Sequence, residues 1–310
     1  MLTPLVFFDD RDHLPKYFIK ILTKAKTNRK VFILSGSDLI FQNEFIENIQ
    51  ITKNITYLKS LAKFKNAYVH LSSNSQDFEI ACFARFFALN TFMQMNKLKN
   101  AWLLDTDVWP TQNLEIFEQV AHSSDKVLIL SKSRSESNAV LASCSLWNFN
   151  DVDKFCTYLS NSFYQKNFSE LQHFYLEKQS NSILGGVCDM TALTYWTSRE
   201  SIDYLNSYKA ILRNNLIPET ISEIFLQISA PFGEMKEEKK NNFIVILYLR
   251  NQFFLIYKFK VFTLASFHFQ GHSKHLINQF YYFKFLAGNE FMLNWQMRFY
   301  RRLDKLKHKY

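Results

Sequence analysis

Residues 83–109 read FARFFALNTFMQMNKLKNAWLLDTDVW, and this stretch decides the fold. It closes a run, 77–98, that is apolar nearly all round, the pattern of a helix buried on every side rather than lying on a surface. Lys99-Asn100 interrupts it, Ala101 to Leu104 has strand character, and the apolar residues stop at Asp105-Thr106-Asp107. A buried helix running into a short buried strand that ends on two carboxylates belongs to a layered α/β protein.

Working outward, residues 4–8 (PLVFF) form a strand-like run halted by the polar cluster Asp9 to His13. Helical spacing follows at Tyr17, Ile19, Ile21, Leu22 and Ala25, and VFILS (31–35) is a second buried strand leading into Gly36-Ser37-Asp38. Strand, helix and strand in so short a span predict a right-handed βαβ unit and a sheet that begins parallel. Ligands of such sheets sit beyond the carboxyl ends of the strands, which marks Asp9, Asp10 and residues 35–38 as crevice positions.

Further along, 39–63 reads as helical with polar interruptions, and 67–71 as a candidate strand. Residues 127–130 and 140–149 read as strands, the Ser-rich 131–137 as a loop, and 151–180 as mostly helix. Leu184-Gly185-Gly186-Val187-Cys188-Asp189 is a glycine turn feeding a helix over 190–196. The charged run 234–242 reads as a loop, 243–249 and 253–259 as a hairpin joined through 250–252, and the chain after His268 as helical. The expectation is an α/β domain over 1–274 with a mostly parallel central sheet flanked by helices, followed by a basic, aromatic helical tail over 275–310.

With 47% hydrophobic residues, 32 Phe, 6 Gly and 5 Pro, the chain can bury a sizeable core and is neither collagen-like nor disordered. The net charge of +9 is concentrated at the end. Lys284, Arg298, Arg301, Arg302, Lys305, Lys307 and Lys309 face only Glu290 and Asp304, and Phe291, Trp295, Phe299, Leu303 and Leu306 interleave with them. Such a helix either lies on an anionic membrane or packs with a solvated basic face. Nucleic acid is not expected, since no recognised motif or stacking platform accompanies the charge. Cys82, Cys144, Cys156 and Cys188 form no C-x-x-C pair and read as free thiols of a reducing compartment. No run reaches the length of a membrane span, and the opening segment lacks a basic n-region. A cytoplasmic protein, peripheral on the membrane if the tail binds it, is the expectation.

Asp-x-Asp occurs three times, at 10/12, 105/107 and 151/153, but only the middle pair directly follows an interior apolar strand. Carboxylates so placed can project together, one ligating Mg²⁺ or Mn²⁺ and the other holding a hydroxyl or a metal-bound water. A solvated turn is the plain alternative. An aspartyl-phosphate hydrolase is disfavoured by Val108-Trp109-Pro110 and by the distance of the motif from the N-terminus.

In these residues the chain resembles GT-A (Rossmann-like) nucleotide-diphospho-sugar transferases, especially the group of glycogenin and the bacterial lipopolysaccharide galactosyltransferases. The likeness is carried by 83–109, by GGVCDMTAL (185–193) and by HFQGHSK (268–274), an H-x-x-G-x-x-K pattern. The resemblance implies a nucleotide diphosphate sugar donor and a saccharide or lipid-linked acceptor. It implies Asp105 and Asp107 on a Mn²⁺ or Mg²⁺ ion and the sugar nucleotide, and His268 as third ligand. Gly271 and Lys274 would contact the diphosphate, Arg85 the sugar nucleotide, and Asp189 the donor sugar or acceptor hydroxyl as the catalytic group. His275-Leu276 replaces the Pro-Trp usual after the lysine, and Met190 the glutamine usual beside the aspartate.

Read on their own, Arg85 needs an anionic partner that is either a diphosphate or Asp105, and Asp189 is either a helix cap or a site group. The rival functions are a non-catalytic glycan- or membrane-binding relative and a metal-dependent nucleotidyltransferase.

Overall fold

A computed structural model describes residues 2–11, 13–24, 28–36, 44–123, 127–132, 139–206, 224–230, 244–249, 252–257, 260–269, 274 and 285–287. The first strand, β1 (Leu5–Asp9), is followed by α1 (Lys16–Lys24) and β2 (Val31–Ser35), and β1 and β2 pair in parallel. That is the βαβ unit expected from alternating apolar runs. β3 (Ile46–Gln50) then adds in parallel to the outer edge of β2.

β3 corrects the helical reading of 39–63. Ile46 and Ile49 have the three-residue spacing of a helix face, but pairing of Val31 with Ile46 fixes the segment as a strand. Helical structure begins with a single 3-10 turn at Ile51–Lys53 and continues as α2 (Ile55–Ala67), where the Asn54 side chain accepts from the backbone amides of Thr56 and Tyr57. Residues 39–43 lie outside the described residues.

The long apolar run is α3 (Gln76–Met95), started by Ser75 as N-cap; Phe83, Phe86, Phe87, Leu89 and Phe92 are all buried. β4 (Asn100–Leu104) sits beside β1 in parallel, so the strand ending at Asp105 lies at the sheet centre. Beyond the short β5 (Val108–Pro110) come α4 (Leu114–Ser123), β6 (Ile129–Lys132), β7 (Val140–Asn148), α5 (Phe149–Asn161), α6 (Phe163–Ser180), α7 (Asp189–Arg199) and β8 (Leu205–Asn206). Ser131 thus belongs to a strand rather than a loop, and 133–137 lie outside the described residues. Residues 68–71 form no named strand; Ser72 makes an isolated bridge to Gly186.

Seven strands order as β3-β2-β1-β4-β7-β6-β8, parallel except where β7 runs against both β4 and β6. α3, α5 and α7 pack over it through an aromatic cluster in which Trp147 stacks on Trp196 and meets Phe86 edge-on. The mostly parallel, helix-flanked α/β architecture is the one expected.

A second sheet was not foreseen. β9 (Ile224–Ala230), β10 (Ile244–Leu249), β11 (Gln252–Tyr257), β12 (Lys260–Phe269) and β13 (Phe285–Ala287) assemble with β5 in the order β13-β10-β11-β12-β5, with β9 parallel to β12. β10 and β11 are the expected hairpin. β13 corrects the helical reading of the tail at 285–287: the edge of β10 carries unpaired backbone groups, and a strand there satisfies them. The charged run 234–242 and the remainder of 275–310, including the stretch expected to form a basic helix, lie outside the described residues.

Candidate metal centre and adjoining clefts

The centre forms where the two sheets exchange a strand. β4 ends at Leu104, and a tight turn closes when the Val108 amide donates to the Asp105 carbonyl at 2.9 Å; the Asp105 amide donates to Ser143 on β7. The turn lifts Asp105, Thr106 and Asp107 out of the parallel sheet and delivers β5 to the antiparallel one. There Val108 pairs with His268, which places the imidazole beside Asp107 although 161 positions separate the two in the chain.

One ligand atom each from Asp105, Asp107 and His268 lie within 4.8 Å of one another. Two carboxylates and an imidazole suit a hard or borderline divalent ion such as Mg²⁺ or Mn²⁺, and that spacing lets all three reach one ion at about 2.0–2.6 Å. These residues could therefore hold a metal ion. Asp107 Oδ1 lies 3.2 Å from His268 Nε2, and its Oδ2 accepts from Lys274 Nζ at 2.8 Å. Burial raises the Asp107 pKa, but the imidazole and ammonium outweigh it and hold the group at about 2. Asp105 moves the other way, pushed up by burial against the pull of Arg85.

Arg85, reaching in from α3, bridges Asp105 and Asp189 through separate guanidinium nitrogens. Burial disfavours its charge, but the two carboxylates together more than restore it. Its partner in this structure is thus Asp105, joined by Asp189. The capping role considered for Asp189 falls to Cys188, whose backbone amide donates to Thr191 Oγ1 at 3.3 Å. Asp189 is the first helical residue, 5% exposed, its charge placed favourably at the positive end of α7.

The glycine turn before it is fastened to residues 71–73: Val187 donates to the Leu71 carbonyl, and Gly185 to Ser73 Oγ. A Cβ at Gly186 would stand 2.2 Å from the Leu71 carbonyl oxygen, so only glycine lets the two segments meet.

At the end of β1, Asp9 is buried and engaged by Arg11 through Nε at 2.7 Å and a terminal nitrogen at 2.6 Å. Arg11 also approaches Thr106 Oγ1 at 3.4 Å, and the Lys274 ammonium sits 5.3 Å over the ring of Tyr17. Asp10 lies beside them, and loss of part of its carboxylate's hydration raises its pKa. Arg11 and Tyr17 were missed as site residues. In the sequence the first reads as part of a polar turn and the second as a helix face; the signal present is an arginine two positions beyond a strand-end aspartate. Gly271 lies outside the described residues.

Two clefts meet at the carboxylates. One, of about 530 Å³, runs along the end of β1 past Asp9, Asp10, Arg11, Tyr17 and Thr106. The other, of about 540 Å³, runs past Asn74, Glu79, Gly185, Gly186, Asp189 and His268. Phe78, Cys82, Arg85, Asp105, Asp107 and Lys274 line both. A wider cleft of about 800 Å³, around Met93, Lys97, Asn100 and Phe149, opens at the other end of β4 and has no acidic residue in its lining.

No family model and no curated protein sequence matches the chain. Among solved structures it is similar to mouse xyloside xylosyltransferase 1 in its apo form, at 12% identity over 66% of this chain and 84% of that one, with a TM-score of 0.39. It is also similar to A197 from STIV, at 12% identity over 49% of this chain and 68% of that one, with a TM-score of 0.28. Likenesses this distant say nothing of activity.

Proposed function

We propose that the chain is a metal-dependent glycosyltransferase, moving a sugar from a nucleotide diphosphate sugar to a saccharide or lipid-linked acceptor. The observation that carries this reading is the meeting of Asp105, Asp107 and His268 at the junction of two clefts, with Lys274 at hydrogen-bond distance. One cleft suffices for a hydrolase; a transferase has two substrates to seat on either side of the reacting bond.

In this reading Asp105, Asp107 and His268 hold Mn²⁺ or Mg²⁺, which when bound neutralises charge on the departing diphosphate. The nucleotide takes the cleft at the end of β1. There Arg11, steadied by Asp9, and Lys274, over Tyr17, present positive charge to phosphate oxygens, with Gly271 allowing close approach and Asp10 reaching a hydroxyl. Arg85 fixes Asp105 and Asp189 relative to one another. Asp189, in the second cleft, faces the donor sugar or the acceptor hydroxyl and orients it for attack.

Among the described residues no helix is long and apolar enough to cross a membrane. The basic tail, proposed as a contact for an anionic membrane surface, would bring the site to lipid-linked acceptors at the cytoplasmic face.

The test is hydrolysis of UDP- and GDP-sugars with and without Mn²⁺, in wild type and Asp107→Ala. Metal-dependent release of nucleoside diphosphate, lost in the variant, is expected. Release of pyrophosphate would instead identify a nucleotidyltransferase, and inertness towards every sugar nucleotide a binding module.

A further inference from the structure

Glu79 is a carboxylate on the wall of the second cleft that no step above employs. It lies in the first turn of α3, its residue surface 1% exposed. One oxygen, Oε1, accepts from Ser72 Oγ at 2.7 Å and from Asn74 Nδ2 at 2.8 Å. The other, Oε2, is buried and finds no hydrogen-bond partner among the described residues. An acidic group taken out of water with half its acceptors unmet is costly unless something fills them. Ser72, which holds it, is bridged to Gly186, so the carboxylate and the approach to Asp189 are fixed to the same strap of chain.

The rim of this cleft is apolar in a way the rest of the site is not. Phe78 is 56% exposed, Leu184 85% and Met190 38%, and all three line it. Large exposed apolar side chains around a polar floor match the two-sided character of a pyranose ring. Its C–H face lies on aromatic and aliphatic surface while its hydroxyls point to fixed acceptors.

We propose that Glu79, positioned by Ser72 and Asn74, accepts a hydrogen bond from an acceptor-sugar hydroxyl whose ring rests on Phe78, Leu184 and Met190. The inference rests on the glycosyltransferase reading for its role in catalysis, but the subsite itself is a statement about binding. It makes Glu79 a specificity determinant: an acceptor lacking that hydroxyl leaves the buried oxygen unmet, a strong penalty for a site built around a hydrogen bond.

The experiment titrates the full chain, in the absence of nucleotide, with p-nitrophenyl glycosides of glucose, galactose, mannose, xylose and N-acetylglucosamine, followed by ligand-observed NMR. Wild type should bind at least one glycoside saturably, and Glu79→Gln, which keeps a carbonyl oxygen for Ser72 and Asn74, should weaken it at least tenfold. Melting temperature and Mn²⁺ affinity verify that the variant is folded. Leu184→Ser, at an exposed position where folding is not at risk, should weaken binding severalfold and supplies the test if Glu79→Gln does not fold. Absence of binding to wild type, or equal binding by wild type and the folded variants, overturns the proposal. The two readings fail separately: inertness to all nucleotide sugars removes the transferase, whereas the glycoside titration alone decides the subsite.

Discussion

The two sheets contribute to the same centre in different ways. The seven-stranded sheet offers the ends of β1 and β4, neighbouring parallel strands whose carboxyl ends must open on the same crevice. The second, mostly antiparallel sheet offers His268, which reaches that crevice because β12 pairs with the three residues of β5, and Lys274 joins it from five positions past the end of β12. One set of groups follows from the topology of a βαβ sheet; the other depends on a single short ladder. Residues that belong to both sets should therefore matter more than residues of either one.

Asp107 is such a residue: it follows the parallel sheet's β4 and touches both His268 of β12 and Lys274. Asp107→Ala removes a metal ligand and strands an imidazole and an ammonium together. Metal-dependent turnover should fall by about 10³-fold or more, the several kcal/mol that an ion's charge stabilisation represents. Steady-state rates across a Mn²⁺ titration check it; a loss of less than tenfold would remove Asp107 from the centre.

Arg85 acts only on the parallel side, holding Asp105 and Asp189 together. Arg85→Ala leaves mutually repelling carboxylates at a partly buried site and should cost about 3 kcal/mol of stability, towards the lower end for breaking a buried ion pair. The drop in melting temperature should be smaller with Mn²⁺ present, since the cation supplies part of the missing positive charge. Equal drops with and without the ion would mean that Arg85 and the metal do not share the same carboxylates.

His268 acts only on the antiparallel side. Its ladder with β5 is made of backbone hydrogen bonds, so His268→Ala should leave the strand register in place and both carboxylates poised. Mn²⁺ affinity should fall about tenfold, the cost of one weakened ligand interaction of about 1.4 kcal/mol. Isothermal titration distinguishes this from the larger loss expected at Asp107; equal losses in the two variants would contradict the division between the sheets.

The same division explains what was legible in the sequence. β1, α1, β2, α3 and β4 are written locally, as apolar runs of the right period, and the Asp105/Asp107 pair stands out because β4 stops at it. β3 was misread because Ile46 and Ile49 carry the spacing of a helix, and the open edge of β2 overrides that preference. The assembly of the second sheet was hidden for a different reason. Val108-Trp109-Pro110 is too short to announce a strand and contains a proline, tolerated where a strand edge needs no donor. Nothing local says that it will pair with residues 266–268, so His268 could be placed by its resemblance to a motif but not by topology. Arg11 and Glu79 went unnoticed because each is defined by what it touches: Asp9 and Thr106 for one, Ser72 and Asn74 for the other.

The smallest effect of a substitution concerns a thiol in the second cleft. Cys188 caps α7, and burial, with help from the charge of Asp189 and against the hydrogen bonds of Thr191, pushes its thiol up to about 11. A raised thiol pKa means less thiolate at neutral pH. At pH 7.5 its alkylation by iodoacetamide should run roughly 10²-fold slower than that of an unperturbed cysteine of pKa about 8.5. Burial sets the direction of the shift and the neighbouring Asp189 carboxylate adds to it. Neutralisation by Asp189→Asn should therefore speed labelling by severalfold, read by mass spectrometry of the Cys188 peptide. No change in that variant would mean that burial alone governs the thiol and that the charge of Asp189 is spent on Arg85.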